Sequence, residues 1–121
     1  MTNERKVIGN LGERLTYKYL RRREWMVLYK NYRKWGGEID LIAQDPDTGE
    51  IVFIEVKTRK DVEWFDLDQT LSYRQIKHIK KIGKRFLYEQ GIETANWRID
   101  HVGILLSSTN EILRFEHFEA V

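Results

Sequence analysis

The sequence predicts an α/β fold, a mixed β-sheet with helices packed on it, and two observations carry that expectation. Two segments place apolar residues at helical spacing, one near the start of the chain and one after residue 72. Five other segments are short, rich in branched and aromatic residues, and separated by turn chemistry. Their order, α-β-β-β-α-β-β, makes an α/β sandwich.

Residues 4–23 read as the first helix. Val7, Leu11, Leu15 and Tyr19 recur on one face, with Ile8 and Leu20 beside them, and Arg21-Arg22-Arg23 complements the dipole in the last turn. Residues 25–32 read as a strand that ends before the turn signal Trp35-Gly36-Gly37. Strands follow at 38–44 and 50–58, joined by Asp45-Pro46-Asp47-Thr48-Gly49. Residues 59–71 form a polar, acidic and aromatic connection, of a length that is often functional. Ser72 caps a second helix that runs to about Glu89, with Gly91 as its stop. Its apolar stripe is Ile76, Ile79, Ile82 or Gly83, Phe86 and Leu87, and its wet face carries Arg74, Lys77, Lys80, Lys81, Lys84 and Arg85. Strands at 96–106 and 111–119 complete the order.

With 121 residues, 41% of them apolar and 33% charged, the chain is expected to form one globular domain. It has no cysteine, so disulfides and thiolate metal sites are excluded. No apolar run approaches the roughly 18–20 residues that span a bilayer, and MTNERKVIGN lacks the apolar core of a signal peptide. A cytoplasmic protein without membrane association is expected. The net charge of +2 hides a strong segregation: +7 over residues 1–35, −7 over 36–71, +5 over 72–90 and −3 over 91–121. An acidic centre between basic segments suits a metal-dependent enzyme acting on a polyanion. Solvated helix faces are the plainer reading of any single run.

The hairpin 36–59 holds the chemistry. If residues 46–49 form a four-residue loop, Asp45 pairs with Glu50, and counting back sets Asp40 directly opposite Glu55. Strand alternation puts Ile51, Phe53, Glu55 and Lys57 on one face, and Ile39, Leu41, Val52, Ile54 and Val56 on an opposite, core-facing one. Two carboxylates about 4.5–5.5 Å apart at Cβ repel unless a cation or a shared proton lies between them. Asp40 and Glu55 offer hard oxygen ligands suited to Mg²⁺ or Mn²⁺, and such an ion lowers the pKa of water so that it can attack phosphorus. Lys57, one pleat from Glu55, is placed to contact the scissile phosphate, stabilise its charge and help orient or deprotonate the nucleophile. The competing reading is a structural Glu55–Lys57 ion pair, which the apolar flanks disfavour. Glu13 on the first helix is an additional candidate ligand, and Gln75 is ambiguous by itself. Candidate phosphate contacts are Arg33, Lys34, Arg59, Arg74, Gln75, Lys77, Lys81 and Lys84. Trp35 and Trp64 flank the hairpin and are candidates for base stacking, although half-buried packing is the commoner role. His78, His101 and His117 lack metal-ligand spacing; His78 reads as a surface residue and the other two as strand residues.

Asp40 followed by Glu55-Val56-Lys57 on the neighbouring strand resembles the PD-(D/E)xK motif of restriction-endonuclease-like nucleases. More narrowly, the chain resembles the YraN-type family of predicted endonucleases. Gly9-x-x-Gly12-Glu13, Asn31-x-Arg33, Gly37-Glu38-Ile39-Asp40-Leu41-Ile42 and Val52 through Arg59 match its pattern, as does Arg98-Ile99-Asp100 more loosely. The resemblance implies an αβββαβ core, Asp40, Glu55 and Glu13 as metal ligands, Lys57 as the catalytic lysine, and Gln75 near the site. The arrangement is also similar to that of archaeal Holliday-junction resolvases, which implies a homodimer and branched DNA as substrate. Three positions depart from the family pattern: Thr16 for Ala, Gln75 for Lys, and Phe65-Asp66 for Phe-Gly. The expectation is therefore a Mg²⁺- or Mn²⁺-dependent endonuclease acting on DNA rather than RNA. The rivals are a nucleic-acid-binding module on a nuclease fold with weak or lost catalysis, and an interaction protein whose acidic hairpin serves another purpose.

Overall fold

The computed structural model describes residues 3–61 and 71–121. Its elements are α1 (Glu4–Arg22), β1 (Met26–Lys34), β2 (Gly37–Gln44), β3 (Ile51–Lys60), α2 (Tyr73–Glu89), β4 (Trp97–Leu106) and β5 (Ile112–Phe118). The strands form one sheet in chain order, antiparallel except for the β3–β4 pair, so α2 lies in the crossover between two parallel neighbours. The α/β class with a mixed sheet and an α-β-β-β-α-β-β order is thus as predicted, compatible with an αβββαβ core.

Alternation along β3 divides the core. Ile51 and Phe53 join Ile79, Ile82, Phe86 and Leu87 of α2. Val52 and Ile54 join Leu20 of α1 and Val102, Ile104 and Leu106 of β4. One helix therefore covers each face. Both helices begin with side-chain caps: Asn3 accepts from the Lys6 N–H, and Ser72 and Gln75 form a reciprocal capping box. In α2 both Ile82 and Gly83 are buried. Gly83 allows the helix onto Phe53, whose ring would lie 2.5 Å from an added Cβ.

Ile8, Leu11, Leu15 and Tyr19 of the predicted apolar face pack against the second cluster and Leu20 lies within it, but Val7 is 48% exposed, and the most deeply buried line runs beside that face through Gly12, Thr16 and Leu20. The reason is close approach: a Cβ at Gly12 would sit 1.8 Å from Thr58 Oγ1 of β3. Thr16 fits this seam by turning its hydroxyl back to the Gly12 carbonyl at 2.8 Å.

Strand ends follow their partners more than their own composition. β1 starts after the buried Trp25 and extends to Lys34, because its ladder with β2 continues to Lys34↔Gly37. β3 extends to Lys60, two residues past the predicted end, because β4 pairs with it that far. The connection predicted at 59–71 thus loses its first two residues to β3, and its residues 62–70, Trp64 and Phe65-Asp66 among them, fall outside the described residues. The β2–β3 loop is as counted. Asp45 N–H bonds to Glu50 O at 3.0 Å, and the register runs from Gln44↔Ile51 to Leu41↔Ile54.

Candidate functional site

Both ladders of β2 are interrupted around Asp40. On the β3 side the pairing stops at Leu41↔Ile54, one step before Asp40 and Glu55. On the β1 side Lys30↔Leu41 and Tyr32↔Ile39 are paired, but Asn31 between them adopts a left-handed backbone, φ +55. The interruption breaks side-chain alternation: Ile39 packs in the same cluster as Ile42, against α2, rather than with Leu41. This corrects the expectation that Ile39 and Leu41 share a face. It also frees the Asp40 carboxylate, whose Oδ2 accepts the Val56 N–H at 2.8 Å.

Carboxylates converge on this break. Oxygens of Glu13, Glu38 and Asp40 all lie within 4.8 Å of one another. Glu55 adjoins the group, with a side-chain hydrogen bond to Asp40. The predicted set of Glu13, Asp40 and Glu55 is therefore drawn together, with Glu38 added and Glu55 bordering the tightest trio. Burial pushes the Asp40 carboxyl well above the usual carboxylate range; the Glu55 charge adds to the rise and the Val56 N–H opposes it. Glu55 is also raised by burial, against the Lys57 charge and the bond from Asp40. Glu13 is raised by burial and then by Glu38, while Asn31 and Arg33 pull it down. The pair resists double ionisation, because burial raises both carboxyls and little positive charge stands around them to offset it.

Two grooves meet at Glu55. One, of about 960 Å³, lies under α2 and is lined by Glu38, Glu55, Arg74, Lys77, Lys81 and Lys84 among others. The second, of about 880 Å³, runs beside the start of α1 and is lined by Arg5, Glu55, Lys57, Arg59 and Lys60 among others. The acidic centre and its basic flanks, separate in sequence, are adjacent in space. Arg74, Lys77 and Lys81 are exposed along the first groove. Gln75 lines it too, but its amide oxygen is engaged by the Ser72 N–H at 2.9 Å, which gives it a structural task beside any role at the site. Arg33 is exposed and pairs with Glu38 at 2.8 Å. Lys34 points to Glu89 at 3.3 Å, and Arg59 donates to the Thr58 carbonyl at 3.0 Å.

Sequence reasoning gave Glu38, Asn31 and His101 no role at the site. Glu38 had a signal, since it lies two residues before Asp40 and so on the same side of a regular strand. Asn31 stood in a recognised motif, but its left-handed turn inside a strand has no signature in periodicity. His101 pairs with Glu55 across the parallel β3–β4 ladder and is 3% exposed. Burial, then the Lys57 charge, lowers its pKa, and a backbone hydrogen bond at Glu55 opposes that. His78 is exposed, as expected. His117 binds Asp100 at 2.8 Å and Tyr19 at 2.8 Å, at a different group of residues.

Fold and site together define an α/β protein with a carboxylate cluster where two strands of a mixed sheet part company, bordered by basic grooves. The chain belongs to the family described as "Uncharacterised protein family UPF0102", which matches residues 12–104 and so spans Glu13, Glu38, Asp40, Glu55 and Lys57. It is similar to a UPF0102 protein of Dictyoglomus turgidum, 35% identical over 112 residues that make up 93% of each chain. It is also similar to UPF0102 proteins of Pelotomaculum thermopropionicum, 29% identical over 119 residues and 98% of each chain, and of Mycobacterium avium, 35% identical over 103 residues, 85% of this chain and 80% of the relative. Among the described residues no helix is long and apolar enough to cross a membrane.

Proposed function

We propose that this protein is a divalent-metal-dependent endonuclease that hydrolyses phosphodiesters in DNA, with branched or otherwise structured DNA as its expected substrate. The observation that carries the reading is Asp40, 6% exposed and freed from both ladders, beside Glu13, Glu38 and Glu55. Four acids gathered at a partly buried point destabilise the fold unless a cation or protons compensate. An all-oxygen donor set of this kind fits Mg²⁺ or Mn²⁺, with Asp40, Glu55 and Glu13 holding the ion and Glu38 beside them. The ion would supply charge neutralisation at the phosphate and a lowered pKa for water.

The protein's own residues do the rest. Asp40 is fixed by the Val56 N–H, so the site is oriented by backbone rather than by a mobile side chain. Lys57 lies next but one to Glu55 on β3 and lines the second groove, where its ammonium meets a non-bridging phosphate oxygen and offsets charge that builds up there. The basic sides of both grooves hold the flanking phosphates.

The test is a cleavage panel of duplex, flap, fork, four-way junction and single-stranded RNA with Mg²⁺ or Mn²⁺. Cleavage of at least one DNA substrate that EDTA stops, and that Asp40→Ala and Lys57→Ala each remove while binding persists, is the expected result. Binding without cleavage of any substrate would leave only a nucleic-acid-binding module.

A further inference from the structure

We infer that Trp35 is a stacking platform for an unpaired base, so that the site selects nucleic acid with unpaired nucleotides next to the scissile bond over continuous duplex. This deepens the nuclease reading and rests on it for the word scissile.

Three observations converge. The first is conformational. Trp35 adopts a left-handed backbone, φ +50, ahead of Gly36 at φ +76. A bulky aromatic residue is disfavoured there, whereas Gly or Asn would fit without strain. The β1–β2 ladder closes at Lys34↔Gly37, so Trp35-Gly36 is a two-residue hairpin loop whose favoured turn requires φ > 0 at both positions, and that turn fixes the direction in which the indole is held.

The second is exposure. The side chain is 56% exposed, so burial of its ring does not offset the strain. The contrast with two other tryptophans is plain: Trp25 is 3% exposed, and Trp97 packs on Phe53 with ring centroids 5.9 Å apart. Trp35 instead has the Lys81 ammonium over its ring at 5.1 Å, a contact that orients an indole without covering it.

The third is place. Trp35 shares a hollow with Arg33, Lys34 and Glu38. Glu38 also lines the groove under α2 and stands in the trio with Asp40. Lys81 bridges the two, since it lines that groove as well. A base laid on the indole would have its own phosphate among Arg33, Lys34 and Lys81, and a neighbouring phosphodiester at the carboxylates. Only a base released from its duplex stack can present a face to the ring. The bound group is thus a nucleobase with its phosphate, and its source is a single-stranded tail or branch.

The test uses a forked oligonucleotide with 2-aminopurine as its first unpaired nucleotide, in EDTA so that cleavage does not intervene. The wild-type protein should quench the fluorophore and prefer the fork to a continuous duplex of equal length. Trp35→Gly should abolish the quench and cut the fork-over-duplex preference by about tenfold or more. Trp35→Phe should keep part of both. Trp35→Gly should also melt no lower than wild type, because glycine accepts the left-handed backbone freely. An undiminished preference or quench in Trp35→Gly overturns the inference, and so does a marked fall in its melting temperature, which would make the indole a packing residue. If no substrate is ever cleaved but the quench depends on Trp35, the nuclease reading falls and the platform stands. If cleavage is metal-dependent and Trp35→Gly keeps the fork preference, the reverse holds.

Discussion

Two groups of acids built around buried aspartates occupy opposite ends of the β2–β3 hairpin, and they differ in what surrounds them. At the loop end, Asp45, Glu50 and Asp100 converge on Arg98, at 2.9, 2.9 and 3.0 Å. Asp100 also accepts from the Ala120 N–H at 3.0 Å and binds His117 at 2.8 Å. Burial is the largest influence on Asp100 and pushes its pKa up, but the bonds from His117, Arg98 and Ala120 together outweigh it, and the net shift is downward. At the open end Asp40 is buried to a similar degree, has the Val56 N–H, and faces Glu55, Glu13 and Glu38; its shift is upward. Burial does not decide between these outcomes. The supply of donors does. The first group is a completed structural pin. The second is left with carboxyls whose pKa values are raised.

The largest effect should come from breaking the pin. Arg98→Ala leaves three acids without their common partner and should cost roughly 3–5 kcal/mol of stability, read by denaturant unfolding. A loss below about 1 kcal/mol would mean that the pin is no more than a surface ion pair and that the two ends do not differ as argued.

The next effect belongs to the open end. Mn²⁺ or Mg²⁺ at about a hundred times its dissociation constant should stabilise the protein by about 2.7 kcal/mol, seen as a rise in melting temperature that EDTA reverses. Asp40→Asn should remove most of that response. Without the ion, Asp40→Asn should be at least as stable as wild type at neutral pH, since the amide needs no proton on folding whereas the Asp40 carboxyl must take one up. No response to either ion in the wild-type protein would remove the metal from the account.

A third comparison is pH dependence, in which the two ends should differ in sign. Asp45 and Asp100 have lowered folded-state pKa values. Their contribution is present above the unfolded carboxylate value of about 4 and is lost as pH falls through the folded one. Asp40 is raised, so the folded protein keeps a proton that the unfolded chain has released. Its contribution is fullest below that same value and declines as pH rises toward the folded one, by up to about 1.4 kcal/mol per unit. Stability profiles in EDTA should therefore show a shallower acid limb in Asp45→Asn, where Asp100 still contributes, and a shallower decline with rising pH in Asp40→Asn, where Glu13 and Glu55 still contribute. An unchanged alkaline decline in Asp40→Asn would assign that limb to another group.

Much of this was legible in sequence, for a reason that can be traced. The hairpin register follows from Pro46–Gly49 and from a two-residue period, both local properties. It sufficed to bring Asp40 toward Glu55 and to set Lys57 beside Glu55. Ser72 announced the start of α2 in the same way. The family pattern supplied Glu13, which no local rule links to residue 40.

Other features depend on partners distant in the chain. β3 runs to Lys60 because β4 pairs with it there, not because Arg59 and Lys60 favour strand. α1 is buried deepest along Gly12, Thr16 and Leu20, beside its apolar face, because Gly12 meets Thr58. That docking carries Glu13 toward Glu38 and Asp40. The backbone break at Asn31 and Asp40, the placing of His101 behind Glu55, and the convergence of three acids on Arg98 are likewise set by packing. The sequence by itself determined which residues lie in strands and which acids share a hairpin, since periods of two and 3.6 are fixed by neighbouring residues. Only the tertiary structure decided which acids find donors, because donors at Arg98, His117 and Val56 arrive from separate strands, and the charge state of a buried carboxylate depends on their number and distance.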